Sequence, residues 1–274
     1  MPQMPRAERS LEQRTMRKVY LRLLPFAILT YILCYLDRIN VGFAALTMNK
    51  DLGLDAATYG MAAGALFWGY CLFEVPSNLM LERLGARLWI ARIMVSWGLL
   101  SGATAFCVGP ISFTVMRFLL GVAEAGLFPG ILLYCTYWFP DRHRGRVMGA
   151  FNAALPLSVA IGAPISTALL GLNGTMGLTG WQWIFIAEAA PTVLLGIGVL
   201  FYLTDRPEHA AWLDEAERGW LCATLAGETG RIEAHRKIGV PESFWNAKVL
   251  LLTLNYLALM ALIVDMGRTR SLQR

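Results

Sequence analysis

The residues that could do chemistry in this chain are charged side chains set inside apolar sequence. Asp37 and Arg38, Glu74, Arg117, Glu124 and Glu188 all lie in such runs. An ionisable group in hydrocarbon is costly, so it faces a cavity or a partner and marks an ion or substrate path. A guanidinium offers a planar fork that matches a carboxylate, which makes Arg38 and Arg117 candidates for holding an anion. Asp37 and Glu124 are candidates for carrying protons. Desolvation favours a neutral carboxyl, and a nearby guanidinium favours the charged one, so a group held between them can titrate. Arg117, Gly121, Glu124 and Phe128 recur at helical spacing and share one face, with Gly121 expected to leave room between the charges. The competing reading is that Asp37–Arg38 and Arg117–Glu124 are ion pairs that only fix helix packing, although buried pairs add little stability over apolar residues. Glu74, beside Pro76, Ser77 and Asn78, and Glu188 read instead as structural hydrogen-bonding groups.

These residues need helices to position them. Of 274 residues, 56% are hydrophobic and 16% charged, and mean hydropathy is +0.50. That balance excludes a disordered chain or disulfide scaffold and argues against a soluble enzyme. Apolar runs fall near 21–44, 58–80, 88–108, 111–139, 147–170 and 182–203, with a seventh near 246–264. They are continuous rather than alternating, so an all-α membrane protein is expected. Pro76, Pro129, Pro156, Pro164 and Pro191 are expected to kink their helices. By helical rise, Arg117 lies roughly 9 Å into its span and Asp37 and Arg38 roughly 9–10 Å into theirs, so the two sites can meet; Glu124 lies about 20 Å in. The five Cys show no CxxC or CxxH spacing and read as small buried hydrophobes. The three His, at 143, 209 and 235, lie outside the apolar runs. No metal, cofactor or catalytic constellation is expected, and an enzyme is not.

Basic residues gather on alternate connections. They crowd the arm before residue 20, the connections around Arg83, Arg87 and Arg92 and around Arg142, Arg144 and Arg146, and the polar stretch 204–245. The connections near 45–57, 109–110 and 171–181 hold only Lys50. This asymmetry predicts a cytoplasmic N-terminus, and it favours a bilayer partner over nucleic acid. The expected organisation is a basic arm over 1–20, six spans over 21–203, a cytoplasmic linker over 204–245, a partial seventh span over 246–264 and an atypical tail over 265–274. In the linker, acidic and basic residues from Asp214 to Arg218 alternate with Trp212, Leu213, Trp220 and Leu221. They suit either an amphipathic helix along the membrane face or a plain solvated linker.

The run Asn78-Leu-Met-Leu-Glu82-Arg83-Leu-Gly85-Ala-Arg87 resembles the loop motif of the major facilitator superfamily, G-x-L-x-D-R-x-G-x-R/K, with Asn78, Met80 and Glu82 as departures. Tyr35-Leu-Asp37-Arg38-Ile-Asn40, Phe73-Glu74-Val-Pro76-Ser-Asn78 and the stretch Arg117 to Gly130 resemble the anion:cation symporter family within it. Trp138-Phe-Pro140, Gly180-Trp-Gln-Trp183 and Asp205-Arg-Pro207 continue the match. The tartrate branch looks nearest, beside phthalate and hydroxyphenylacetate permeases. The resemblance implies the six-helix N-terminal lobe of that fold, with 3+3 inverted repeats, plus the start of a seventh span. It implies symport of a proton and a small organic anion, a tartrate-like hydroxy-dicarboxylate or an aromatic carboxylate, across a bacterial-type inner membrane by alternating access. Asp37 and Glu124 are then the proton-coupling acids, Arg38, Arg117, Tyr35 and Asn40 contact substrate, and Glu82, Arg83, Gly85 and Arg87 form a gating loop. Tyr31, Phe67, Tyr70 and Phe128 are further aromatics near the path. The family fold has about twelve spans, so a truncation or frameshift near residue 261 is expected. The alternative is a non-transporting lobe that pairs with a second six-helix lobe.

Overall fold

The computed structural model describes residues 6–235 and Leu251. The chain divides into two units, Met1–Leu225 and Ala226–Arg274. The expected seventh span and the tail fall outside the described residues, apart from Leu251. The first unit holds α1 (Arg6–Asp51), α2 (Ala56–Leu84), α3 (Ala86–Thr104), α4 (Pro110–Glu124), α5 (Leu127–Thr136), α6 (Asp141–Leu170) and α7 (Gly180–Tyr202). The last helix, α8 (Glu215–His235), begins in the first unit. Four segments are long and apolar enough to cross a membrane: Glu8–Asp51, Pro110–Thr136, Asp141–Leu170 and Gly180–Tyr202. At 29 and 19 residues, α2 and α3 reach about 44 and about 29 Å, against a hydrocarbon core of about 30 Å. Small and polar residues dilute α2, and Arg87 and Arg92 dilute α3.

Two expectations about the helices change. The basic arm is not separate, because α1 runs unbroken for 46 residues and carries Pro25 inside it. The fourth span is two helices, α4 and α5, and the break falls at Ala125–Gly126 rather than at Pro129. Pro129 lies in the first turn of α5, where a missing N–H costs nothing. Gly126 takes φ +82° and packs on α2, where a Cβ would stand 2.5 Å from Ser77 Oγ. The freed carbonyl of Ala125 accepts a 2.6 Å hydrogen bond from that hydroxyl. Local signals fix the other ends: Asp55 caps α2 by accepting from the Thr58 N–H at 2.7 Å, and Thr179 with Gln182 forms a capping box at α7.

The packing carries an internal symmetry. Count α4 and α5 together as span four, α6 as span five and α7 as span six. The most extensive contacts are α1 with α6, α2 with α4, and α3 with α7. Exchanging spans one to three with spans four to six turns the first pair into the second and leaves the third unchanged. It also turns the α1–α7 contact into the α3–α4 contact, and both are present. This is the pattern of two three-helix repeats. Glycines let the helices close. A Cβ on Gly98 would stand 2.7 Å from Val193 Cγ2, and one on Gly102 2.9 Å from Ala189 Cβ. Small residues four apart allow such close approach in a membrane, where burial of apolar surface cannot drive it.

Candidate functional site

Asp37, Arg117 and Glu124 are buried within the helix bundle, at 3%, 3% and 0% exposure. Their helices are amphipathic in reverse, with charge inward and apolar side chains outward. The pairing differs from both ion pairs considered above. Arg38 reaches Glu124 across α1 and α4, with Nε 3.2 Å from Oε1 and Nη2 3.1 Å from Oε2. The Cys34 thiol, one turn earlier on α1, donates to the same Oε1 at 2.7 Å. Asp37 accepts the Ser101 hydroxyl of α3 on Oδ1, while its Oδ2 has no partner. Nε and Nη1 of Arg117 are also buried without a hydrogen bond. The site therefore holds one closed fork and one buried cation with open donors.

Gly121 does not make room between two charges as expected. Its missing Cβ admits the backbone of α2, since a Cβ there would meet the Leu66 carbonyl. Phe128 lies beyond the helix break and joins the face by packing, with its ring 5.4 Å from that of Tyr31. The Tyr31 hydroxyl donates to the Tyr35 hydroxyl at 3.2 Å. The guanidinium of Arg38 lies 5.9 Å from the Tyr35 ring and 5.2 Å from the Tyr70 ring. Tyr31, Tyr35, Tyr70 and Phe128 thus gather around Arg38, which is partly exposed (28%). Phe67 instead lies exposed on α2. Asn40 is wholly buried, and its Oδ1 accepts from Ser166 of α6 at 2.7 Å. It ties α1 to α6, and its Nδ2 stays unpartnered.

Glu74 and Glu188 were expected to make structural hydrogen bonds. At Glu74 it is the main-chain carbonyl, not the carboxyl, that accepts the Asn78 amide at 2.8 Å. Glu188 is buried, and neither carboxyl oxygen has a partner among the described residues. Sequence reasoning also missed Ser77, Ser101 and Cys34 as polar partners. Nothing local distinguishes them from ordinary small residues in apolar helices.

The loop motif is tighter than a loop. Gly85 alone separates α2 from α3, at φ +89°. Its N–H donates to the Leu81 carbonyl at 3.0 Å. Asp205, just after α7, accepts the Arg87 N–H on Oδ1 at 2.8 Å and holds the Arg87 side chain at 3.8 Å. A Cβ on Gly85 would stand 3.0 Å from Asp205 Oδ1. Glu82 and Arg83 are exposed beside it.

The segment after α7 is neither a free linker nor a helix lying alone. Trp212 stacks on Trp138 at 5.3 Å. At the start of α8, Glu217 accepts from Lys18 at 2.6 Å and from Arg14 at 2.8 Å. Glu12 of α1 meets Arg142 at 2.8 Å. The basic arm, α6 and the start of α8 are fastened together.

The sequence and fold were compared with known proteins. The family model described as Major Facilitator Superfamily matches residues 27–267. Two Agrobacterium vitis proteins, each named "Putative tartrate transporter", are 58% and 52% identical. The matches cover 80% and 94% of this chain but 50% and 57% of those proteins. The chain thus spans about half the length of these curated relatives. Among solved structures, a bacterial homologue of the human lysosomal transporter Spinster, in an inward-facing and unoccupied conformation, superposes with a TM-score of 0.64. Identity there is 18%, with 69% of this chain and 44% of that one covered, so this match speaks to fold alone. With its long apolar helices, repeat symmetry and charges buried within the bundle, this multi-pass membrane protein belongs to the major facilitator superfamily, whose N-terminal lobe its described helices form.

Proposed function

We propose that the chain is the N-terminal lobe of a secondary transporter that carries a small organic anion together with a proton by alternating access. The substrate class is a tartrate-like hydroxy-dicarboxylate or an aromatic carboxylate. The Arg38–Glu124 fork carries the reading. While Glu124 is charged it occupies the Nε–Nη2 edge of the guanidinium that an anion needs. Protonating Glu124 releases Arg38, so proton and anion bind together and neither binds well alone. Arg117 is a second cation with donors to offer. The tyrosines around Arg38 supply hydroxyls for a hydroxy-acid or faces for an aromatic one. No chemical step on the substrate is involved, so the protein is not an enzyme. Gly85, Glu82, Arg83 and Arg87 form a gating hinge that Asp205 latches. The lysine and arginine distribution supports a cytoplasmic N-terminus, and the bacterial relatives support a bacterial-type inner membrane.

The length of the relatives supports a second element of this reading. A further six-helix lobe, covalent or separate, completes the cavity, and the present lobe contributes the anion and proton groups. The test is binding of labelled tartrate to the chain in nanodiscs. Wild type binds more tightly as pH falls. Glu124→Gln, which leaves Arg38 free at every pH, binds more tightly than wild type at neutral pH and shows a smaller pH dependence. Wild-type binding that does not change with pH would refute the coupling. Uptake into proteoliposomes driven by a pH gradient then reports whether a second lobe is needed for translocation.

A further inference from the structure

Glu188 is the buried ionisable group that the mechanism above leaves idle. It lies in the middle of α7 and is 8% exposed, and both its carboxyl oxygens lack a partner. A carboxylate left so in hydrocarbon is too costly to persist, so the group must hold a proton or gain a counter-charge. Close packing fixes its place. Gly98 and Gly102 of α3 press on Val193 and Ala189 of α7, and Ala189 is the residue next to Glu188. Ser101, on the same turn of α3, donates to Asp37. Ser101 thus ties Asp37 to the stretch of α3 against which Ala189, the neighbour of Glu188, packs. Asp37 Oδ2 and both Glu188 oxygens are thus buried carboxyl oxygens without hydrogen bonds, on the contacting helices α1 and α7.

The remaining charges are accounted for. On α1, Arg38 is turned to Glu124. On α3 the ionisable residues are Arg87 and Arg92; Arg87 is held at Asp205, and Arg92 lies over Trp89 at 4.1 Å. On α6 the ionisable residues all precede Val147. Across the bundle on α4, Arg117 acts on Asp37. No cation among the described residues is paired with Glu188.

We propose that Glu188 is a third proton-holding carboxyl of the site, coupled to Asp37 so that the two share one negative charge. Arg117 supports the charge on Asp37, and Glu188 stays neutral. An anion that draws Arg117 away leaves Asp37 without its counter-charge, and the pair then takes up a proton. This rests on the symport reading, but its test does not.

The test is infrared difference spectroscopy of the 274-residue chain in nanodiscs during a pH titration, following the C=O stretch of buried protonated carboxyls. Wild type shows such a band at neutral pH. Glu188→Gln loses it, while Glu124→Gln keeps it. Asp37→Asn keeps it too, but the band disappears at lower pH than in wild type, because the neighbouring negative charge that opposed ionisation is gone. Circular dichroism confirms equal helix content in each variant. A band that survives Glu188→Gln in a folded protein overturns the proposal. A band that titrates unchanged in Asp37→Asn overturns the coupling. Failure of pH-linked tartrate binding, with this band behaving as described, refutes the symport reading and leaves the Glu188 assignment standing.

Discussion

Arg38 of α1 and Glu124 of α4 face each other through two contacts, Nε to Oε1 at 3.2 Å and Nη2 to Oε2 at 3.1 Å. The ion pair touches both carboxyl oxygens, but only the Nε–Oε1 contact is a hydrogen bond, and Oε2 of Glu124 has no hydrogen-bond partner. On the proposed reading, an anion that approaches Arg38 competes with Glu124 for the guanidinium.

Arg38→Lys separates charge from geometry. An ammonium keeps the positive charge but not the planar pair of donors. Losing one charge-assisted hydrogen bond is worth about 1.5–3 kcal/mol, so tartrate affinity falls about tenfold or more at low pH. Isothermal titration in nanodiscs measures it. Equal affinity for the lysine variant would mean that the fork is not the binding element.

Gly121→Ala tests the approach of α2 to α4. A Cβ at this position collides with the Leu66 carbonyl, and Tyr70 N lies 3.0 Å away. Backbone cannot swing aside like a side chain, so the cost is about 1–3 kcal/mol or more. Gly149→Ala in α6 is the control, since nothing lies within 4 Å of a Cβ there. Thermal unfolding in detergent should show a large loss for the first and none for the second.

The sequence discloses the spans because apolar length is a local property. Runs such as 147–170 and 182–203 correspond to α6 and α7 to within a few residues at their C-terminal ends. The four charged residues are legible too, because charge inside such runs is conspicuous. Their pairing is not. Whether Glu124 meets Arg117 one face below it or Arg38 on another helix depends on how α1 and α4 cross. Their placement follows from contacts between residues distant in sequence, such as Gly121 of α4 against Leu66 of α2. The break at Gly126 hides for the same reason. Pro129 is the louder local signal, but the hydroxyl that rewards the break belongs to Ser77, 48 positions earlier. Glu188 was read as an ordinary hydrogen-bonding group because its isolation is a property of α3, α1 and α7 together.

Glu217 makes the docking of α8 on the basic arm depend on acid. Burial alone would raise the pKa of this carboxyl, but the Lys18 hydrogen bond, the Asp214 N–H and the Lys18 charge outweigh it and hold it below the ordinary value of 4.5. The folded value is thus below the unfolded one. The stabilisation is complete above about pH 4.5 and fades as pH falls through the lowered folded value. Limited proteolysis of the 204–225 segment should be slow at neutral pH and accelerate in acid. Glu217→Gln should be cut faster already at neutral pH and show less acceleration. Equal cutting of both proteins at neutral pH would show that the ion pairs do not hold the segment.

Asp205 closes the hinge between α2 and α3. Only Gly85 separates these helices, so α3 has no side chain of its own at its N-cap, and the first N–H groups of a helix need acceptors. Asp205 supplies one from the far side of α7 by accepting the Arg87 N–H at 2.8 Å. Its charge also favours the positive end of the helix. Asp205→Ala removes acceptor and charge together and should cost about 1 kcal/mol, as losing an N-cap does. Asp205→Asn keeps an acceptor and should cost about half of that by the same capping logic. Hydrogen exchange at the Arg87 amide is the direct measure. It should quicken strongly in the alanine variant and modestly in the asparagine one, while amides in the middle of α3 keep their protection. Unchanged exchange at Arg87 in the alanine variant would mean that another group caps α3, and the latch role of Asp205 would fall with it.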